Sequence, residues 1–213
     1  MSMKLYSFGP APSAQRVQVF LAEKGLTVET VEVNVREGRQ FAEPFNSMNP
    51  FHCVPFLELD DGTVVAESLS ICRYLEELNP EPTLFGATPT ARAIIDVWSR
   101  RFELDGFVPI LLAVRNHAPM FAGRVVPGTR TDLPQLSTLA ERGKQMMEIF
   151  LGRIEPHFGR NAFAAGAAFS IADITGYFAV RSTRAVGIDL AVWPNVERWF
   201  ADVSMRPAFQ LAS

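Results

Sequence analysis

Val54-Pro55-Phe56-Leu57-Glu58-Leu59-Asp60-Asp61-Gly62-Thr63-Val64-Val65-Ala66-Glu67-Ser68 decides how this chain folds. The stretch reads as strand, tight turn, strand, and the opening of a helix. Asp61-Gly62 is a hairpin signal between two β-prone runs. Glu67-Ser68 puts an acid and a hydroxyl where an apolar-periodic helix begins, which suits a helix N-terminus. Pro55 cannot donate to a sheet ladder, so it belongs at an edge or at the first position of its strand. A cis Val54–Pro55 bond would leave the Val54 N–H and C=O facing outward. A free backbone edge beside a helix N-terminus can hold a small extended peptide that carries a carboxylate.

The same alternation continues on both sides. Lys4–Phe8 reads as a short strand. Ser13–Lys24 is a helix with Val17, Phe20 and Leu21 on one face, stopped by Gly25. Val28–Val33 alternates as a half-buried strand, and Phe41–Ser47 is a short irregular helix. A helix over Glu67–Leu78 ends at Asn79-Pro80-Glu81-Pro82, a linker. The order β-α-β-α-β-β-α is that of a thioredoxin-like domain over residues 1–80. Residues 90–213 show no convincing strand and are expected to form an all-helical bundle domain, so the fold class is α/β plus all-α. Ala91–Ala118 is helical with a kink or break at Pro109. Leu136–His157 is amphipathic, with Leu139, Met146, Ile149, Phe150 and Ile154 expected inward. Ser170-Ile171-Ala172-Asp173 is a capping box whose role is structural, each side chain contributing about 1 kcal/mol or more. Trp193-Pro194 opens the last long helix.

Composition excludes several classes of function. The chain has 213 residues, 48% of them hydrophobic, and a net charge of −3. Residues 1–80 carry six basic and eleven acidic groups, and neither half is polybasic, so no nucleic-acid partner is expected. No apolar run approaches the roughly 20 residues of a membrane span, and no signal peptide opens the chain. Two cysteines, Cys53 and Cys72, make no disulfide framework, and the three histidines are scattered, so no metal is expected. A reduced, cytoplasmic setting follows.

Several pieces, in order and spacing, resemble the cytosolic glutathione transferases of the soluble bacterial and fungal type. These are Lys4-Leu5-Tyr6-Ser7, the helix Gln15–Gly25 with Arg16, Asn49-Pro50, Val54-Pro55, Glu67-Ser68, Ile71–Leu75 and Phe169–Ile174. The resemblance covers nearly the whole chain. It implies an enzyme that binds glutathione as co-substrate, lowers the pKa of its thiol and adds the thiolate to a hydrophobic electrophile. Peroxide reduction, dehalogenation and isomerisation use the same thiolate. The competing class is a non-catalytic binding or scaffold protein of the same fold. A homodimer is also implied.

The resemblance distributes the roles as follows. Val54, headed by Pro55, pairs with the cysteinyl unit. Glu67 holds the γ-glutamyl ammonium, and Ser68 with the helix amides holds its carboxylate. Gln40 and Cys53 stand where relatives bind the glycyl end; Gln40 fits that role, Cys53 does not, and His52 beside it could compensate. The thiol activator belongs in the turn Gly9–Ala14. Where classes of the family place serine or cysteine, this chain has Ala11 and Pro12, which leaves Ser13 as the side-chain donor, or as no more than the N-cap of its helix. His117 is the alternative activator, and Tyr6 is a weaker one expected in the core. Phe8, Pro12, Phe107, Leu111 and Arg115 are expected to line the hydrophobic substrate site, with Arg115 facing an anionic substrate or solvent. Cys53 admits a redox reading, while Cys72 falls on the inward face of its helix.

Overall fold

A computed structural model of the chain describes residues 3–211. It divides into two compact units. The first takes the chain up to Pro82, together with Pro127–Thr129 and the segment from Pro207. The second takes Thr83–Val126 and Arg130–Arg206. The first unit therefore recruits two short pieces from outside the stretch 1–80.

The first unit is thioredoxin-like. Its elements are β1 (Lys4–Ser7), α1 (Pro12–Lys24), β2 (Glu29–Glu32), a 3₁₀ turn (Arg39–Phe41), α2 (Phe45–Met48), β3 (Phe56–Glu58), β4 (Val64–Ala66) and α3 (Ser68–Leu78). The sheet order is β2-β1-β3-β4, with β1–β2 parallel and the other pairs antiparallel. Phe56 pairs with Tyr6 on one side and Ala66 on the other. Side chains alternate across the sheet. Tyr6, Val33 and Phe56 form a cluster on one face, with Tyr6 stacked on Phe56 at 4.8 Å. Leu5 and Leu57 are buried on the other, the α1 and α3 side.

Gly25 ends α1 as expected. It takes φ +64°, and the Gly25 and Leu26 amides return to the carbonyls of Ala22 and Leu21. The hairpin is wider than a two-residue turn: Leu59 N donates to Thr63 O, and Thr63 N donates to Asp61 Oδ1. That bond from the Thr63 amide holds the Asp61 carboxyl below its ordinary range. Lys24 Nζ donates to Glu76 Oε2 at 2.8 Å and to the Pro82 carbonyl at 2.6 Å, a buried ion pair that joins the C-terminal end of α1 to α3 and to the end of the unit. The short α9 (Pro207–Leu211) packs on α1 and buries Phe209.

The second unit is helical: α4 (Pro89–Arg101), α5 (Val108–His117), α6 (Ser137–Phe158), α7 (Ile171–Arg181) and α8 (Pro194–Ser204). A π-helical turn, Phe102–Phe107, separates α4 from α5. Pro109 explains it, because an inner-helix proline removes one amide donor and crowds the carbonyl four residues back. The break thus precedes Pro109, which sits in the first turn of α5. The inward face of α6 agrees with the expected one at Phe150 and Ile154 and differs from it elsewhere. Gly143, Met147, Phe150, Leu151, Ile154 and Phe158 are buried, whereas Leu139, Met146 and Ile149 are exposed. Both stripes carry helical spacing, and the glycine at 143, which lets α5 approach closely, selects between them.

The aromatic core stacks Phe102 and Phe158 on Trp199 at 5.6 and 4.6 Å. Gly176 in α7 lies under Phe102, where a Cβ would stand 2.6 Å from the ring. Asp173, wholly buried, accepts from Ala164 N, Trp199 Nε1, Ser170 N and Ser170 Oγ at 2.7–3.1 Å, and the capping box with Ser170 is formed. Burial raises its pKa, and the four donors work against that rise. Glu155 of α6 caps α8 by accepting from the Asn195 and Val196 amides at 3.0 Å.

All three tryptophans (Trp98, Trp193, Trp199) lie in this unit, so intrinsic fluorescence reports its unfolding. Asp173→Ala should lower its stability in denaturant by about 3 kcal/mol, because several buried donors lose their acceptor together. A loss below about 1 kcal/mol would mean that the four bonds do not anchor α7 and α8.

Candidate glutathione-binding site

Two antiparallel pairings meet at Phe56, so the residues before Phe56 and those after Tyr6 and Ala66 leave the sheet at one end. That end gathers the turn Phe8–Ala11, the Val54–Pro55 segment and the start of α3. The Val54–Pro55 bond is cis. Pro55 is buried and Val54 half-buried, and the Val54 N–H and C=O enter no hydrogen bond among the described residues. Asn49, itself buried, donates from Nδ2 to the Cys53 carbonyl at 2.8 Å and fixes the approach to this edge.

Two helix N-termini open at the same end. The N-cap of α3 is Glu67, at φ +66° and ψ 121°, and its carboxylate does not cap the helix. The first amides of a helix have no acceptor within it, so those of α3 stay available to a ligand. Glu67 is exposed, and its carboxylate makes no bond among the described residues; Ser68 is buried at 4% exposure. The N-cap of α1 is Ala11, with Pro12 at the first helical position. Ser13 is therefore inside the first turn and does not cap it. Its half-buried hydroxyl has no partner among the described residues. The N-cap alternative for Ser13 is thus corrected. The fixed φ of proline suits the first helical position, where the missing amide would have had no helical partner, so the helix starts one residue earlier.

Tyr6 donates its hydroxyl to Glu58 Oε2 at 2.8 Å, and burial followed by that bond pushes its pKa up to about 12. It is a core residue, as expected. Gln40 is 6% exposed in the 3₁₀ turn, and its Oε1 has no partner among the described residues. His52 sits at φ +52°, with Nε2 held by Asn46 Oδ1 at 2.8 Å and its ring 5.0 Å from Phe41. Cys53 Sγ lies against Gly128: a Cβ there would stand 2.9 Å from the sulfur and would also strike the Phe51 carbonyl. With φ at +69° as well, position 128 is restricted to glycine.

The residues expected to meet a hydrophobic substrate divide between the units. In the first, Phe8 is buried under the Arg36 guanidinium at 5.6 Å, and Pro12 is half-buried. In the second, Phe107 is buried and Leu111 half-buried. Arg115 is half-buried and engaged by the protein. Its Nη1 donates to the Arg124 carbonyl, and its guanidinium lies 4.8 Å over Phe121, bracing the loop after α5. His117 is exposed at the end of α5 and makes no hydrogen bond among the described residues. Asn116 and Gln135, which sequence reasoning passed over, tie α5 to the start of α6. In the sequence Arg16 stands out only as part of the motif Gln15–Gly25. It is 5% exposed, and its Nη1 donates to Ser68 Oγ at 3.1 Å. A charge within the apolar face of a helix was the available signal.

Among the described residues no three or more His, Cys, Asp or Glu side chains gather to hold a metal, and no helix is long and apolar enough to cross a membrane.

Comparison with known proteins agrees with this geometry. A family model for the glutathione S-transferase N-terminal domain matches residues 11–78, and one for the C-terminal domain matches residues 117–207. The chain belongs to the glutathione S-transferase family. It is 32% identical to glutathione S-transferase 3 of Zea mays, over 98% of this chain and 91% of that one. It is 28% identical to a maleylacetoacetate isomerase of Pseudomonas aeruginosa, over 99% and 95% of the two chains. Its fold matches the crystal structure of a class Gtt2 glutathione S-transferase of Vibrio parahaemolyticus with a TM-score of 0.84 and 35% identity, covering 98% of this chain and 96% of that one.

Both cysteines are free thiols. Cys72 is wholly buried, and burial pushes its thiol up to about 12, so below that pH it stays a neutral, unreactive thiol. A disulfide reagent at pH 8 should therefore modify no more than one thiol per native chain and two in denaturant. Two rapidly modified thiols in the native protein would contradict the burial of Cys72.

Proposed function

We propose that this chain is a glutathione transferase, with glutathione as co-substrate and its thiolate as the nucleophile. The observation that carries the reading is the pair of helix N-termini without side-chain caps, α1 and α3, on either side of the unpaired Val54 edge. The edge suits the cysteinyl backbone of an extended tripeptide. The α3 terminus with Ser68 suits the γ-glutamyl carboxylate, and the free Glu67 carboxylate suits its ammonium. Gln40, with His52 and Cys53 beside it, is the candidate for the glycyl end.

The sulfur then falls to α1. A thiol with an ordinary pKa near 8.5 is only a few per cent ionised at neutral pH. The Ser13 hydroxyl, without an acceptor among the described residues, can donate to the developing thiolate, and the positive end of α1 supports the charge. The thiolate attacks an electrophilic carbon of a hydrophobic substrate. Isomerisation through the same thiolate is the second reading, favoured by the maleylacetoacetate isomerase relative. Free thiols and a glutathione requirement fit a cytoplasmic setting.

A homodimer belongs to this reading. Ile94, Val97, Leu104 and Val108 are 45–57% exposed along α4, the π turn and α5, and Phe51 is 72% exposed on the α/β unit. Apolar surface of this kind fits a second copy, with the α/β unit of one chain against the helices of the other. Val97→Glu combined with Val108→Glu should shift the mass in light scattering from twice the chain mass to the chain mass. An unchanged mass would place the contact elsewhere.

The primary test is the ultraviolet absorbance of the glutathione thiolate on the protein, titrated against pH. A bound-thiol pKa well below the free value, raised by Ser13→Ala, is expected. A depressed pKa that Ser13→Ala leaves unchanged transfers the role to α1 amides, water or His117. Binding without turnover on any electrophile or isomerisable substrate would favour the non-catalytic scaffold. No glutathione binding at all would overturn the proposal.

A further inference from the structure

Arg16 and Ser68 are 52 residues apart in sequence, on different helices, and both are buried. Arg16 Nη1 donates to Ser68 Oγ at 3.1 Å. A guanidinium carries only donors, so at this contact the serine oxygen can only accept. The proton of the Ser68 hydroxyl must then be directed elsewhere. An isolated serine at a helix start has a choice, because its hydroxyl rotates and can accept as readily as donate. Arg16 removes that choice. It also sets a positive charge, always present and weakly hydrated, behind the first turn of α3, where the helix amides already favour an anion.

We propose that Arg16 is a positioning residue for the α-carboxylate of a γ-glutamyl ligand. It acts through Ser68, committing that hydroxyl to donate to the carboxylate and adding charge behind it. The inference rests on glutathione being the ligand and goes beyond it. It assigns selectivity for the γ-glutamyl carboxylate to a buried arginine that does not touch the ligand. The ammonium of the same group, facing the exposed Glu67, would be indifferent to Arg16. The two ends of the γ-glutamyl unit are therefore read by separable groups.

A pair of ligands isolates the effect. Glutathione is compared with 4-aminobutanoyl-cysteinylglycine, which keeps the ammonium, the cysteinyl unit and the glycyl end and lacks only the α-carboxylate. Dissociation constants are measured by calorimetry for wild type, Arg16→Met, Arg16→Lys, Ser68→Ala and the Arg16→Met/Ser68→Ala double variant. Arg16→Met should weaken glutathione about tenfold, through the lost orientation of Ser68 and the lost charge behind it, and the analogue by no more than about twofold. Ser68→Ala should do the same, and the double variant should add little to either single change, because the two residues act in series.

Arg16→Lys, which keeps a cation without the fixed fork, should give an intermediate ratio between the ligands. The ratio is read within each variant, so a partly unfolded sample does not distort it. If Arg16→Met does not fold, Arg16→Lys decides alone. Equal loss of both ligands, or an unchanged ratio, would overturn the role of Arg16 while leaving glutathione binding intact. Failure of the wild type to bind glutathione would overturn both together.

Discussion

The site depends on one constraint, the double antiparallel pairing of β3. Phe56 is held between Tyr6 and Ala66, so three chain segments that are distant in sequence must leave the sheet at one end. A slip of one residue would turn Phe56 from the cluster with Tyr6 and Val33 to the opposite face and expel Leu57 from under the helices. The apolar alternation that stabilises the unit thereby also fixes which backbone groups face a ligand. Stability and placement of the site are here the same interaction.

The two units treat their helix ends differently. In the helical unit the starts of α7 and α8 are satisfied by carboxylates, the buried Asp173 within its capping box and the half-buried Glu155 across from α6. In the α/β unit, α1 and α3 begin without side-chain caps, although each such cap is commonly worth about 1 kcal/mol. At the other ends the unit carries the Gly25 stop on α1 and the buried Lys24–Glu76 pair joining α1 to α3. The uncapped amides thus remain where the sheet end lies open.

Much of this was legible in the sequence, for local reasons. The hairpin, the proline heading β3, the Gly25 stop and the Ser170–Asp173 box are each specified by two or three neighbouring residues. What was not legible required a competitor or a distant partner. The start of α1 depended on whether Pro12 or Ser13 entered the helix first. The buried face of α6 depended on Gly143 meeting α5, since two stripes of that helix were equally apolar. Arg16 was visible as a charge on an apolar face, but its partner is 52 residues away on another helix. Periodicity names a face; it does not name what lies against it.

Gly128 bears on how this protein can change over evolutionary time. The loop between α5 and α6 runs over 119–134, and a single backbone point in it fits against Phe51 and Cys53. Gly123, at φ +70°, and the Arg124 carbonyl held by Arg115 are further fixed points, and most of the other residues of the loop are exposed. The exposed positions of the loop can therefore diverge in composition between these fixed points without detaching the segment from the α/β unit. A library that randomises this loop while holding position 128 as glycine would sample that freedom, whereas one that randomises every position would spend most of its members on chains that cannot close.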